Sequence, residues 1–154
     1  DATLILASAA GRREVNINKF YRGYKQLDLA PGELIAEIRM PLPADDDVLR
    51  LYKVSRRRDL DISTFTAAML MRRTDGRIDS MRMAYGGVAP VVLRLKKTEE
   101  FLTGKPIARE TFAEAGEIAR SEIAPISDVR GSRETRLQLA ENILTKFYYD
   151  VAGG

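Results

Sequence analysis

The side chains with the most chemical potential lie together in Leu51–Thr66, LYKVSRRRDLDISTFT. Lys53 falls near the end of an alternating, strand-like segment. Three consecutive arginines follow, Arg56, Arg57 and Arg58, then the acidic pair Asp59 and Asp61. The apolar run Phe65–Met71 closes the stretch. Charge of both signs in a turn between strands is most simply a solvated connection. Loops leaving a rigid scaffold are also where binding groups concentrate. The arginines' planar forks suit phosphates.

Two further clusters deserve the same weighing. Gly86-Gly87 would let backbone amides approach an anion, but it runs into Val-Ala-Pro rather than a helix, so it is no dinucleotide fingerprint. A tight bend is its ordinary reading. Ser127-Asp128-Arg130 reads as an ion-pair corner at the entry to the last helix.

What is missing excludes more chemistry than what is present. The 154 residues contain no Cys and no His. Disulfides, thiolate zinc sites and iron–sulfur ligation are therefore out of reach of these residues. So are an imidazole base, a Ser-His-Asp triad and a facial-triad iron site. A net charge of +3 and pI near 9.3 are mildly basic. The positive charges are interleaved with acids, and a nucleic-acid role for Arg56–Arg58 would amount to weak, salt-dependent binding. No apolar run approaches the roughly 20 residues of a bilayer span, and DATLILASAAGRR lacks the basic start of a signal peptide. The chain opens on a strand-like segment without a starting Met, which suggests a piece of something longer.

The elements that must position these residues follow from periodicity and turn signals. Thr3–Ser8 and Arg13–Ile17 read as a hairpin, and the aromatics of 18–24 as buried anchors of a loop. Leu34–Met40 reads as a strand ended by Pro41-Leu42-Pro43, with an exposed acidic linker Ala44–Asp47 marking a seam. Leu49–Ser55, Thr64–Arg73 and Ile78–Tyr85 form a three-stranded antiparallel pattern, with Asp75-Gly76 as hairpin turn. Met81, Met83 and Tyr85 make its core face, opposite Ile78. Lys97–Leu102, Arg109–Glu122 and Arg133–Val151 are amphipathic helices, the last capped by Ser132. The fold class is α+β: an antiparallel three-stranded β-sheet packed against a C-terminal layer of about three helices, preceded by hairpin strands.

In order, YKVSRRRDLDIS, MAYGGVAPVVLR with KKTEEFLTGK, PISDVRGSRETR and a final NILTKFYYD resemble the flavin subunit or domain of molybdenum hydroxylases. The bacterial xanthine dehydrogenase small subunit and the carbon monoxide dehydrogenase flavoprotein C-terminal domain are the nearest types. The resemblance spans the chain and implies that 1–45 is the tail of a FAD-binding subdomain and 46–154 the C-terminal domain. In this family a substrate is hydroxylated at a molybdopterin cofactor, and electrons pass through 2Fe–2S clusters to FAD and on to NAD+ or oxygen. Lys53 matches a lysine touching the flavin ring system, and Ile35 a leucine packed on it. Val54–Asp61, with Arg57, Arg58, Asp59 and Asp61, matches a mobile charged loop beside the flavin and NAD+. Leu60 stands where the mammalian enzyme has an acidic residue. Lys53, Arg57 or Arg58 near a flavin would favour its reduced, more negative form, and Asp59 or Asp61 the reverse.

The family's glycine-rich FAD loops and cluster cysteines do not occur in these residues. The chain is therefore expected to bind FAD weakly or not at all by itself and to show no turnover. Implied partners are the rest of the flavin and iron–sulfur chain, a molybdenum-cofactor subunit and NAD+. The implied setting is cytoplasmic purine catabolism, without nucleic acid or membrane. The alternative is a non-catalytic docking module whose charged loop is structural.

Overall fold

In the computed structural model, which describes residues 1–152, the chain forms two units, Asp1–Leu42 and a second from Pro43 onward. The first contains β1 (Thr3–Ser8), β2 (Gly11–Asn16), α1 (Ile17–Phe20), β3 (Tyr21–Gly23), β4 (Gln26–Leu27) and β5 (Leu34–Arg39). Strand β1 is central, antiparallel to β2 and β5. Leu4 sits between Val15 and Ile38, and Leu4, Leu6, Val15 and Phe20 form a small buried cluster. On the opposite face Ile5 lies between Glu14 and Glu37, and the Arg39 guanidinium joins both carboxylates, at 3.1 and 2.8 Å. Arg13 clamps the following turn, donating to both Glu33 oxygens (2.7 and 2.8 Å) and to the Asp28 carbonyl. Of the aromatics expected as buried anchors, only Phe20 is one. Tyr21 and Tyr24 are 48% and 71% exposed on the β3–β4 hairpin, whose strands are too short to leave a periodic pattern.

The second unit carries β6 (Val48–Val54), β7 (Phe65–Thr74), β8 (Arg77–Gly86), β9 (Leu93–Arg94), α2 (Lys96–Leu102), α3 (Arg109–Glu122) and α4 (Arg133–Ala152). Its antiparallel sheet runs β6-β7-β8-β9, so it has four strands rather than three. The two-residue β9 pairs Leu93 with Tyr85 and Arg94 with Ala84, and is again too short for a period-two signal. Phe65, Ala67, Met69 and Met71 of β7 alternate into the core, joined by Met81, Met83 and Tyr85 of β8. Ile78, expected on the opposite face, is also fully buried. A bulge explains this: Arg72 pairs with Ser80 but Arg73 with Ile78, so Asp79 is an extra residue that reverses the phase.

The helices cover one face. Leu102, Phe112, Ala115, Leu144 and Phe147 are wholly buried against it, each large side chain contributing roughly 1.5–3 kcal/mol. Tyr85 bonds the layers, its hydroxyl donating to the Ala140 carbonyl of α4 at 3.2 Å, and burial pushes its acidity far down. At the β6 edge Tyr52 donates to Asp150 of α4 at 2.9 Å. Glu122 at the end of α3 accepts from the Lys97 and Thr98 amides, capping α2 in place of its missing local cap. Buried Glu99 accepts from the Met83 amide and the Arg94 fork, fixing α2 to β8 and β9. Asp47, expected in an exposed linker, accepts from the Ala44 amide and from Arg72.

Helices α3 and α4 approach closely at Gly116, where a Cβ would stand 2.7 Å from the Glu141 carbonyl oxygen. We predict that Gly116→Ala destabilises the protein by about 1–3 kcal/mol, as overpacking does. Denaturant unfolding measures it, and an unchanged midpoint would show that the helices slide apart freely.

Candidate functional site

The charged stretch is the loop between β6 and β7, and its neck is closed by the Thr64 amide donating to the Val54 carbonyl at 2.8 Å. Because strand side chains alternate, Tyr52 and Val54 pack toward the helices while Leu51 and Lys53 emerge on the other face. Lys53 Nζ donates to the Asp61 carbonyl at 2.8 Å. One Asp61 oxygen accepts from the Arg57 amide at 2.9 Å, and the other lies 3.6 Å from the Arg57 guanidinium. Arg57 also donates to the Leu60 carbonyl, and Ser55 Oγ to the Arg57 carbonyl. The Arg57 amide, aided by that residue's charge, outweighs partial burial and holds the Asp61 carboxyl below the usual range.

Lys53, Arg57 and Asp61 are thus brought together as one clasp. Arg58 and Asp59 stand exposed at the turn, with no side-chain hydrogen bond holding either among the described residues. Leu60 takes φ of 51° and is 98% exposed, an unfavourable conformation for a branched apolar residue. The clasp on either side of it holds the chain there. Ile35 belongs to the other unit, on β5 opposite Leu6, and is 43% exposed.

Sequence reading missed the surface beside Lys53. On the sheet face away from the helices, Lys53 registers with Thr66 and Gly86, and Leu51 with Ala68 and Ala84. The centre of this face is therefore lined with small residues, and among the described residues no helix of the unit covers it: Leu51 is 71% exposed. A Cβ on Gly86 would collide with the Thr66 hydroxyl, and one on Gly87, at φ +81°, would meet the Thr64 carbonyl at 2.5 Å. The glycine pair is a tight bend where neighbouring chain approaches too closely for a side chain. A signal was present in FTAAM, where Thr66 and Ala68 alternate with the buried Phe65, Ala67 and Met69.

The loop's closing end is locked from α4. Arg136, buried at 3% exposure, donates to the carbonyls of Thr64 (3.2 Å) and Ile126 (2.5 Å) and to the Asp128 carboxylate (2.8 Å). Asp128 therefore pairs with Arg136, not with Arg130, whose amide it accepts instead. Ser132 caps α4 as expected, accepting from the Thr135 amide at 3.1 Å. Among the described residues no group of three or more His, Cys, Asp or Glu is placed to hold a metal, and no helix is long and apolar enough to cross a membrane.

A carboxyl held below its ordinary value stabilises the loop above the ordinary Asp range and loses that contribution as pH falls through the lowered value. Amide exchange of Arg57 reads it directly, after correction for the intrinsic rate. We expect protection at neutral pH that fades on acidification, and a loss of about tenfold or more in Asp61→Ala.

Comparison with known proteins identifies the family of both units. Residues 50–151 match the CO dehydrogenase flavoprotein C-terminal domain, and residues 1–43 the FAD binding domain in molybdopterin dehydrogenase. The glyceraldehyde dehydrogenase medium chain of Sulfolobus acidocaldarius is 30% identical over 99% of this chain and 53% of its own length. A putative xanthine dehydrogenase FAD-binding subunit of Escherichia coli K12 is 30% identical over 95% of this chain and 50% of its own. Carbon monoxide dehydrogenase from Hydrogenophaga pseudoflava superposes with a TM-score of 0.89 at 29% identity, over 95% of this chain and 50% of that one. Quinoline 2-oxidoreductase from Pseudomonas putida 86 gives 0.87 at 33% identity, over 99% and 53%. The chain spans about half the length of these relatives, and through residues 50–151 it belongs to the CO dehydrogenase flavoprotein C-terminal domain family.

Proposed function

We propose that the chain walls one side of a FAD site in a xanthine dehydrogenase-like molybdenum hydroxylase. Electrons would arrive there from 2Fe–2S clusters and leave to NAD+. The observation that carries this is the uncovered sheet face with Lys53 at its end. Thr66, Ala68, Ala84 and Gly86 offer the low relief a planar ring needs, and Lys53 sets a cation at its border. The donor set fits the flavin ring end of FAD rather than its phosphates, since the glycine pair is spent on a bend. Bound FAD supplies the redox chemistry, taking up electrons and handing them on.

The chain's own residues bind, exclude and tune. Lys53 stabilises negative charge gained on reduction, and it does so from a fixed place because Asp61 holds its ammonium. Arg57 is committed to the clasp, which leaves Arg58 and Asp59 as the charges exposed to an approaching dinucleotide. For Ile35, half-exposed on β5, an apolar flavin contact is proposed on the family resemblance alone. The domain limits 1–45 and 46–154 belong to this reading, as do a molybdopterin-bearing partner subunit, purine catabolism and a cytoplasmic setting.

The visible spectrum of the intact protein, before and after NADH, tests the assignment. We expect a bound-flavin band that NADH bleaches, and a shifted band with slower bleaching in Lys53→Ala. A protein that stays colourless after FAD supplementation would leave the chain a docking module with a charged surface turn.

A further inference from the structure

The loop between β6 and β7 is anchored at three points on a segment more than 60 residues away. Thr64, 5% exposed, donates its hydroxyl to the Arg130 carbonyl at 2.9 Å, and its own carbonyl accepts from Arg136. Arg56, at the other end of the loop, donates to the Val129 carbonyl at 3.0 Å. The segment receiving these bonds is itself rigid. Asp128 and Gly131 exchange backbone hydrogen bonds at 3.0 and 3.2 Å, and the Asp128 carboxylate accepts from the Arg130 amide and the Arg136 guanidinium. Gly131 is required by the contact, since a Cβ there would lie 2.8 Å from Thr64 Cγ2.

Arg136 is the point where these ties converge. Its guanidinium reaches three acceptors on two chain segments, the Thr64 carbonyl at the end of the loop and the Ile126 carbonyl and Asp128 carboxylate before α4. Such a fork distributes bonds that a lysine cannot make together. The arginine is also nearly without solvent, so leaving its partners unmatched is costly. By contrast, Arg56–Leu60 at the tip are exposed, and the tip's own clasp uses one carboxylate, Asp61, beside local backbone carbonyls. A loop that is soft at its tip and rigidly held at both feet takes its position from those feet.

We infer that Arg136 and Asp128 are positioning residues for dinucleotide access: through Thr64, and through Arg56 on Val129, they set where the Arg58–Asp59 tip stands. They touch neither flavin nor dinucleotide. This rests on the reading of the loop as the flavin-side wall. It predicts that loosening the feet alters encounter with the dinucleotide while leaving the electron-transfer step alone.

The test uses the intact flavin-loaded protein and the variants Arg136→Lys, Asp128→Asn and Arg56→Ala, the last of which disturbs only an exposed tie. Each is measured for trypsin cleavage at Arg56–Arg58 under native conditions and for flavin reduction by NADH. We expect cleavage there to accelerate about tenfold or more, following the population of the released loop, while other tryptic sites stay protected. The NADH concentration for half-maximal reduction should rise several-fold, with the limiting rate unchanged. Unaltered cleavage and unaltered NADH dependence in all three variants would overturn the inference. So would cleavage rising throughout the chain in Arg136→Lys and Asp128→Asn with Arg56→Ala unaffected, which would make the pair a core element only. A parent protein without NADH-reducible flavin would refute the functional reading instead, and the cleavage pattern would still decide whether the feet hold the loop.

Discussion

The constraint everything else depends on is the two-sidedness of the β6–β9 sheet. In β7, Phe65, Ala67, Met69 and Met71 point one way and Thr66, Ala68 and Leu70 the other, because a strand's side chains alternate. The large residues commit the first face to the helices. On the second face Thr66 and Ala68 keep the end near the loop low, and Leu70 follows them. A single-residue slip would exchange the two faces, burying Thr66 and exposing Phe65. The Phe65–Tyr85 edge-to-face contact, with centroids 5.0 Å apart, resists that slip at the end of the sheet where the loop departs. Core packing and the place of Lys53 are thus one decision, made by the register of β7.

Much of this was legible in the chain. The strong periods gave the α+β class, the three covering helices and the Ser132 cap, and the spaced motifs pointed to the flavin family. What failed was what leaves no local trace. The bulge at Asp79 put Ile78 on the core side, and only pairing with β7 defines that bulge. Strands of two or three residues, such as β4 and β9, are shorter than one detectable period. Tyr21 and Tyr24 looked like anchors because aromatics usually are, yet only Phe20 finds a cluster.

The candidate site was half visible for the same reason. Lys53, Arg57 and Asp61 are near in sequence, so their clasp needs only a turn. The locks on that turn come from residues whose partners are 66 to 73 positions away. One clue existed. Arg136 shares the buried stripe of α4 with Ala140, Ile143 and Phe147, at helical spacing. A charged side chain on an apolar stripe must find several acceptors or be excluded from the core. Its partners are carbonyls and Asp128, which itself was misread as Arg130's partner because neighbours in sequence seemed the nearer choice.

The absence of His and Cys stops being a puzzle once the work is divided this way. A chain that neither transfers protons through imidazole nor ligates metal can still serve a redox centre by shaping its surroundings. Two unit charges about 4 Å apart interact by about 4 kcal/mol at an effective dielectric of about 20, and by about a quarter of that in water. The same lysine is therefore worth much more beside a covered ring than on an open surface. That difference makes coverage, and hence the position of the loop, as important as the presence of the charge.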